Sequence, residues 1–153
     1  MTTHPPPEGF RHRAAIPVRF GDLDAMGHVN NAMYLTYMET GRVSYFRDLN
    51  LWDGTMPRQI GPIMAKATID YKLPVNLEDG TVDVFTRCIR LGHKSYEVEH
   101  RIVRYRNDQP ELAALGIIVL VAYDYHLGQS VPLLDAWRER ILAYEPQPPI
   151  IKS

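Results

Sequence analysis

Residues 20–41 read FGDLDAMGHVNNAMYLTYMETG. Two acids (Asp22, Asp24), a glycine (Gly27), a histidine (His28) and two asparagines (Asn30, Asn31) lead into a stretch with helical spacing. The first N–H groups of a helix have no partners inside it, so such an approach aims bare donors at whatever stands in front. A carboxylate close to those donors can attack a carbonyl, or activate water against it, while the donors hold the carbonyl oxygen. The block therefore suits acyl transfer.

Outward from the block, helical spacing runs from about residue 32 to 49. Leu35, Met38, Arg42, Tyr45 and Leu49 follow one face, with Tyr34 and Phe46 beside it. Asn30 or Asn31 supplies an N-cap, and Asn50 suits the left-handed stop. Upstream, FRHRAAIPVRF (10–20) reads as a strand that Pro17 places near an edge. Downstream, LWDGTMPRQIG (51–61) reads as a loop with an Asp53-Gly54 turn. Four strand-like runs follow: 63–73, 81–90, 93–106 and 111–126. In the second, Val82, Val84, Thr86 and Cys88 oppose Asp83, Phe85 and Arg87. In the third, Tyr96, Val98, His100, Ile102 and Arg104 share a side. LEDG and RNDQPE are the turns between them, so these strands are expected to be antiparallel neighbours. Residues 132–144 read as a last helix, with Pro132 at its start and a Leu134, Trp137, Ile141 stripe. The layout is α+β, one sheet face burying the long helix.

The chain has 153 residues, 45% of them hydrophobic, enough for one ordinary core. Residues 10–145 read as the domain, 1–9 (with three consecutive prolines) and 146–153 as tails. A net charge of −1 offers no nucleic-acid footprint. No apolar run reaches the roughly 20 residues of a membrane span, and MTTHPPPEGF lacks the regions of a signal peptide. A cytoplasmic protein is expected, needing no cofactor and no metal. The lone Cys88 reads as a small buried filler.

The run Asp24-Ala25-Met26-Gly27-His28-Val29-Asn30-Asn31, followed by Tyr34 and Leu35, resembles the D-x-x-G-H-V-N-N-x-x-Y pattern of hot-dog-fold thioesterases. The resemblance is to the 4-hydroxybenzoyl-CoA thioesterase-like branch of short bacterial acyl-CoA thioesterases, and the run is similar to a stretch of plant acyl-ACP thioesterases. Weaker matches are Ile69-Asp70-Tyr71 through Pro74, and Leu91-Gly92-His93-Lys94-Ser95. The resemblance implies a five-stranded antiparallel sheet wrapped around the helix. It also implies a homodimer, often paired into a homotetramer, with sites at the subunit interface. It puts the catalytic aspartate on Asp24 and the N–H that polarises the thioester carbonyl near Asn31. The 4-hydroxybenzoyl-CoA enzyme has apolar residues where this chain has His28 and Asn30, so the acyl group stays open.

Asp24, His28 and Asn31 are thus the candidate catalytic residues. Gly27, Asn30, Tyr34, Lys94 and Ser95 are the candidate substrate-binding ones. Asp22 reads as turn support. Glu39 is the runner-up base, since other hot-dog branches place an acid on this helix, and its bland alternative is an ion pair with Arg42. Arg87, Arg90 and Lys94 face either CoA phosphates or plain solvent. Hydrolysis of an acyl-CoA is the leading reaction. A hot-dog hydratase with an Asp/His pair and a non-catalytic acyl-CoA-binding module are the alternatives.

Overall fold

The computed structural model describes residues 4–52 and 59–152, so the expected Asp53-Gly54 turn lies outside the described residues. Strand β1 (His12–Pro17) leads through a single 3-10 turn at Phe20–Asp22 to helix α1 (Asn31–Asp48). Strands β2 (Ile60–Tyr71), β3 (Thr81–Leu91), β4 (Ser95–Arg106) and β5 (Gln109–Asp124) follow. A short β6 (Gln129–Ser130), helix α2 (Asp135–Tyr144) and a short β7 (Ile150–Ile151) complete the order.

Five long strands form a curved antiparallel sheet in the order β1-β3-β4-β5-β2, the hot-dog arrangement around α1. Alternation along the strands explains which side meets the helix. Val82, Val84, Thr86 and Cys88 are all buried, as are Tyr96, Val98, His100, Ile102 and Arg104. The helix lies close to the sheet: a Cβ at Gly41 would stand 2.7 Å from Val84 Cγ1. Met38 and Tyr45 are fully buried between the layers. Asn50 ends α1 in the left-handed region at φ 56°. Asn107 and Asp108, both at positive φ, make the tight β4–β5 hairpin that RNDQPE signals.

Four sequence expectations need correction. β2 and β3 are not neighbours, because β2 pairs with β5 at the far edge. The connection 72–80 is long enough to cross the sheet, and it bonds sideways to the approach to α1, Val29 N–H donating to Val75 O at 2.8 Å. The last helix starts at Asp135 rather than Pro132, since Val131 N–H and Leu133 N–H are spent on Ala122 O and His93 O. Leu134 is therefore a part-exposed cap, and Leu133 is the buried residue beside Trp137 and Ile141. Neither end is wholly loose. Ile150–Ile151 pairs in parallel with Arg90–Leu91, a stretch of β3 that β1 does not reach. Near the other end, His4 stacks on Tyr105 at 4.9 Å and bonds Asp108.

Candidate active site

The approach to α1 is a tight loop closed on itself. Leu23 and Val29 bridge its two arms, and Asp24 N–H donates to His28 O at 2.8 Å. Between them Gly27 N–H donates to Asp24 O, and Gly27 takes φ +81°. A side chain there would have room but the wrong backbone, so the glycine serves conformation rather than space.

Asp24 sits at the exposed rim of this loop. Its Oδ1 accepts from the N–H of Met26 at 2.9 Å and from that of His28 at 3.3 Å. One carboxylate oxygen thus braces the turn, and Oδ2 has no partner among the described residues. Asp22, two residues earlier, lives differently. It is 1% exposed and accepts from Tyr37 Oη at 2.7 Å and from Arg19 N–H and guanidinium. Burial raises its pKa, but the bonds from Tyr37 and Arg19 outweigh that and hold it below the usual carboxylate range. Asp22 is turn support, as the sequence suggests. Its backbone O also accepts from Asn30 N–H, fixing where the helix begins.

Asn30 is the N-cap, its Oδ1 accepting from Ala32 N–H at 2.9 Å. Asn31 is the first helical residue. Its backbone N–H has no acceptor among the described residues, and its O accepts from Tyr71 Oη at 3.0 Å. An open N–H at the positive end of an 18-residue helix is a ready donor for a developing oxyanion. His28 meets Asp24 through its backbone only; the ring is exposed and bonds nothing among the described residues. Tyr34 is 4% exposed and stacks edge-on against Tyr71 at 5.1 Å, so it packs the floor beneath the loop rather than facing solvent.

Lys94 and Ser95 stand elsewhere. They line an open 560 Å³ cavity with Arg90, Gly92, His93, Glu97 and Lys152. Within one chain this cavity is far from Asp24. Ser95 pairs with Val121, which pairs with Ile63 near the start of β2, while Tyr71 at its other end holds Asn31. Eight strand residues at about 3.3 Å each put roughly 25 Å between the two ends. Lys152 was not a sequence candidate, because nothing local signals that the C-terminal residues fold back along β3. Arg87 is spent on Glu99 at 2.8 Å. Arg42 is 8% exposed and forms no ion pair with Glu39 among the described residues, against the surface pair expected. Cys88 is 2% exposed and burial pushes its thiol up to about 12, so it is an inert filler. Among the described residues no group of three His, Cys, Asp or Glu is placed to hold a metal ion, and no helix is long and apolar enough to cross a membrane.

Comparison with known proteins places this loop and fold in context. A thioesterase of Thermus thermophilus, whose structure holds coenzyme A and zinc, is 39% identical over 92% of this chain and 99% of its own, with a TM-score of 0.78. Among the described residues the donor set does not fit a zinc site of three or more such ligands. The PA2801 protein of Pseudomonas aeruginosa is 34% identical over 85% of this chain and 97% of its own, TM-score 0.75. The chloroplastic acyl-acyl carrier protein thioesterase ATL3 of Arabidopsis thaliana is 29% identical over 117 residues, covering 74% of this chain, which spans only 60% of that protein's length. The model of the thioesterase-like superfamily matches residues 18–141, from just before the Asp24 loop into the last helix, and the chain belongs to that superfamily.

Proposed function

We propose that the protein hydrolyses acyl-CoA thioesters to free acid and CoA in a site shared by two copies of the chain. The observation that carries this reading is the juxtaposition in one loop of an exposed carboxylate, Asp24, and an unused helix-terminal N–H, that of Asn31. The thioester oxygen takes the N–H of Asn31. Asp24 Oδ2 attacks the carbonyl carbon, or takes a proton from a water that does. The tetrahedral intermediate collapses by breaking the carbon–sulfur bond, and the CoA thiolate leaves without needing a strong acid. If Asp24 attacks directly, water then hydrolyses the mixed anhydride; either way the products are an acid and a thiol.

The basic bowl of Arg90, Lys94 and Lys152 supports CoA as the carrier, since its charge suits a polyphosphate. A bowl roughly 25 Å from Asp24 along the same chain serves that site only from a second copy. The β2 edge supports such a copy. It is 12 residues long, unpaired on its outer side among the described residues, and exposes Ile63, Met64 and Tyr71. Antiparallel pairing of two such edges about a two-fold axis sets the start of one β2 beside the end of the other. A chain with one cysteine, and that one buried, fits the reducing cytoplasm where acyl-CoA is made.

A hydratase would draw on an Asp/His pair, and the His28 ring makes no bond to Asp24. Incubation with an acyl-CoA panel and a thiol reagent tests the reading. Thiol release that Asp24→Ala abolishes is expected. Water addition to an enoyl-CoA, or saturable binding without turnover, would replace it with the hydratase or the binding module.

A further inference from the structure

Within one chain Asp24 stands in an open setting. Phe20, 81% exposed, and Met26, 80% exposed, flank it in sequence and are the two most exposed large apolar side chains among the described residues. Leu77, also exposed, follows Asn76, which bridges His28 of the same loop. Scattered apolar side chains on a surface are ordinary, but three of them on the rim of one candidate site make a surface that water covers poorly.

The far end of the sheet presents a second such surface. The turn between β5 and β6 carries Tyr125, 52% exposed, and Leu127, 64% exposed. Its backbone is fixed: Asp124 Oδ1 accepts from the N–H of His126 at 2.8 Å and from that of Leu127 at 2.9 Å, and Asp124 O accepts from Gly128 N–H. Tyr125 N–H donates to Gln59 O at 2.8 Å, so the turn stands at the start of β2. The Asp24 loop stands at the other end of that strand, where Tyr71 Oη holds Asn31 O. About 35 Å of extended strand separates the two, so the turn cannot cover the loop of its own chain. Antiparallel pairing of two β2 edges about a two-fold at mid-strand sets the turn of one copy beside the loop of the other.

The area required points the same way. An edge of 12 residues, about 40 Å long and about 5 Å wide, covers only about 200 Å² per copy. A stable dimer takes about 800 Å² from each partner. Surface on either side of the strand must therefore be covered too, and a two-fold axis makes any such contact twice. The apolar side chains placed to supply it are Phe20, Met26 and Leu77 at one end of β2, and Tyr125 and Leu127 at the other.

Resting on the shared-site reading above, we propose that the β5–β6 turn of a second copy docks on the rim of the Asp24 loop, Tyr125 and Leu127 against Phe20 and Met26, and forms the outer wall of the site. Tyr125 is then a substrate-binding residue supplied by the other chain. It takes no part in bond breaking.

Single cysteines on the two surfaces test the contact. Met26→Cys and Leu127→Cys chains are mixed, exchange is confirmed with a tagged copy, and a short bis-maleimide is added. Cys88 is buried and does not compete. A covalent dimer is expected from the mixture and from neither variant alone, because the two-fold holds the two copies of each residue at opposite ends of the paired strands. Tyr125→Ala is expected to raise KM for an acyl-CoA by about tenfold, the scale of a lost apolar contact with substrate, and to leave kcat within about twofold. A cross-link as strong in either variant alone as in the mixture overturns the proposal, and so does an unchanged KM. Sedimentation of the parent separates the two levels of the argument. A parent dimer whose exchanged mixture gives no cross-link ends this contact and leaves the shared site standing; a parent monomer ends both.

Discussion

At position 27 the backbone takes φ +81°, with nothing within 4 Å of where a Cβ would stand. Gly27→Ala is therefore expected to cost about 1–2 kcal/mol through backbone strain alone. Urea unfolding measures it; an unchanged midpoint would show that the loop relaxes freely. The neighbouring acids show what a sequence displays and what it conceals. Asp22 and Asp24 have the same chemistry two positions apart, and nothing local says which is buried. The difference comes from Tyr37, whose hydroxyl reaches back 15 residues to claim Asp22. The cap at Asn30 was legible to within one residue, because a short polar side chain before an apolar helix has one common use. Arg42 was legible as an inner-face position. Its hydrogen bond to His100 was not, since that depends on where the sheet lies.

The packing of α1 on the sheet encloses two histidines. His12 and His100 are both essentially buried, and desolvation lowers the pKa of each, that of His100 well below 6.5. The charge of Arg42 lowers His100 further, whereas Asp48 partly opposes the shift at His12. The folded rings are neutral where the unfolded ones are protonated, so the unfolded state binds more protons below about pH 6.5. The stability they confer is complete above that pH and lost as pH falls toward the folded values. Each ring contributes up to about 1.4 kcal/mol per pH unit within its window. Denaturation midpoints between pH 7 and 5 should fall, and fall less in His100→Asn; a flat profile in the parent would contradict the assignment. Strand alternation made the helix-facing residues of β3 and β4 readable in advance. The partner of β2 was not readable, because a connection of this length permits either a hairpin or a crossover and only tertiary contacts choose. The start of α2 slipped for a similar reason, its preceding residues being held in extended form by β5 and the turn at His93.

At the scale of the whole molecule, the Asp24 loop proposed as catalytic and the basic bowl lie at opposite ends of one sheet. A two-fold partner joined along β2 would unite them, giving two mixed sites per dimer. Asp24→Asn and the double variant Arg90→Glu/Lys94→Glu should each be nearly inactive alone. After subunit exchange, random pairing should restore about a quarter of parental activity, since each mixed dimer carries one intact site. No recovery, with exchange verified, would mean that each chain works alone. The central chemical claim has a simpler test. Asp24→Asn keeps an oxygen to accept from Met26 and His28, and removes only the charge. Thiol release at saturating acyl-CoA should fall at least about 100-fold, the ordinary scale for losing a catalytic base. The melting midpoint should stay within about 2 °C, less than 1 kcal/mol for a domain of this size. An Asp24→Asn protein that releases thiol within about twofold of the parent, a barrier change of less than 1 kcal/mol, would contradict the assignment of Asp24.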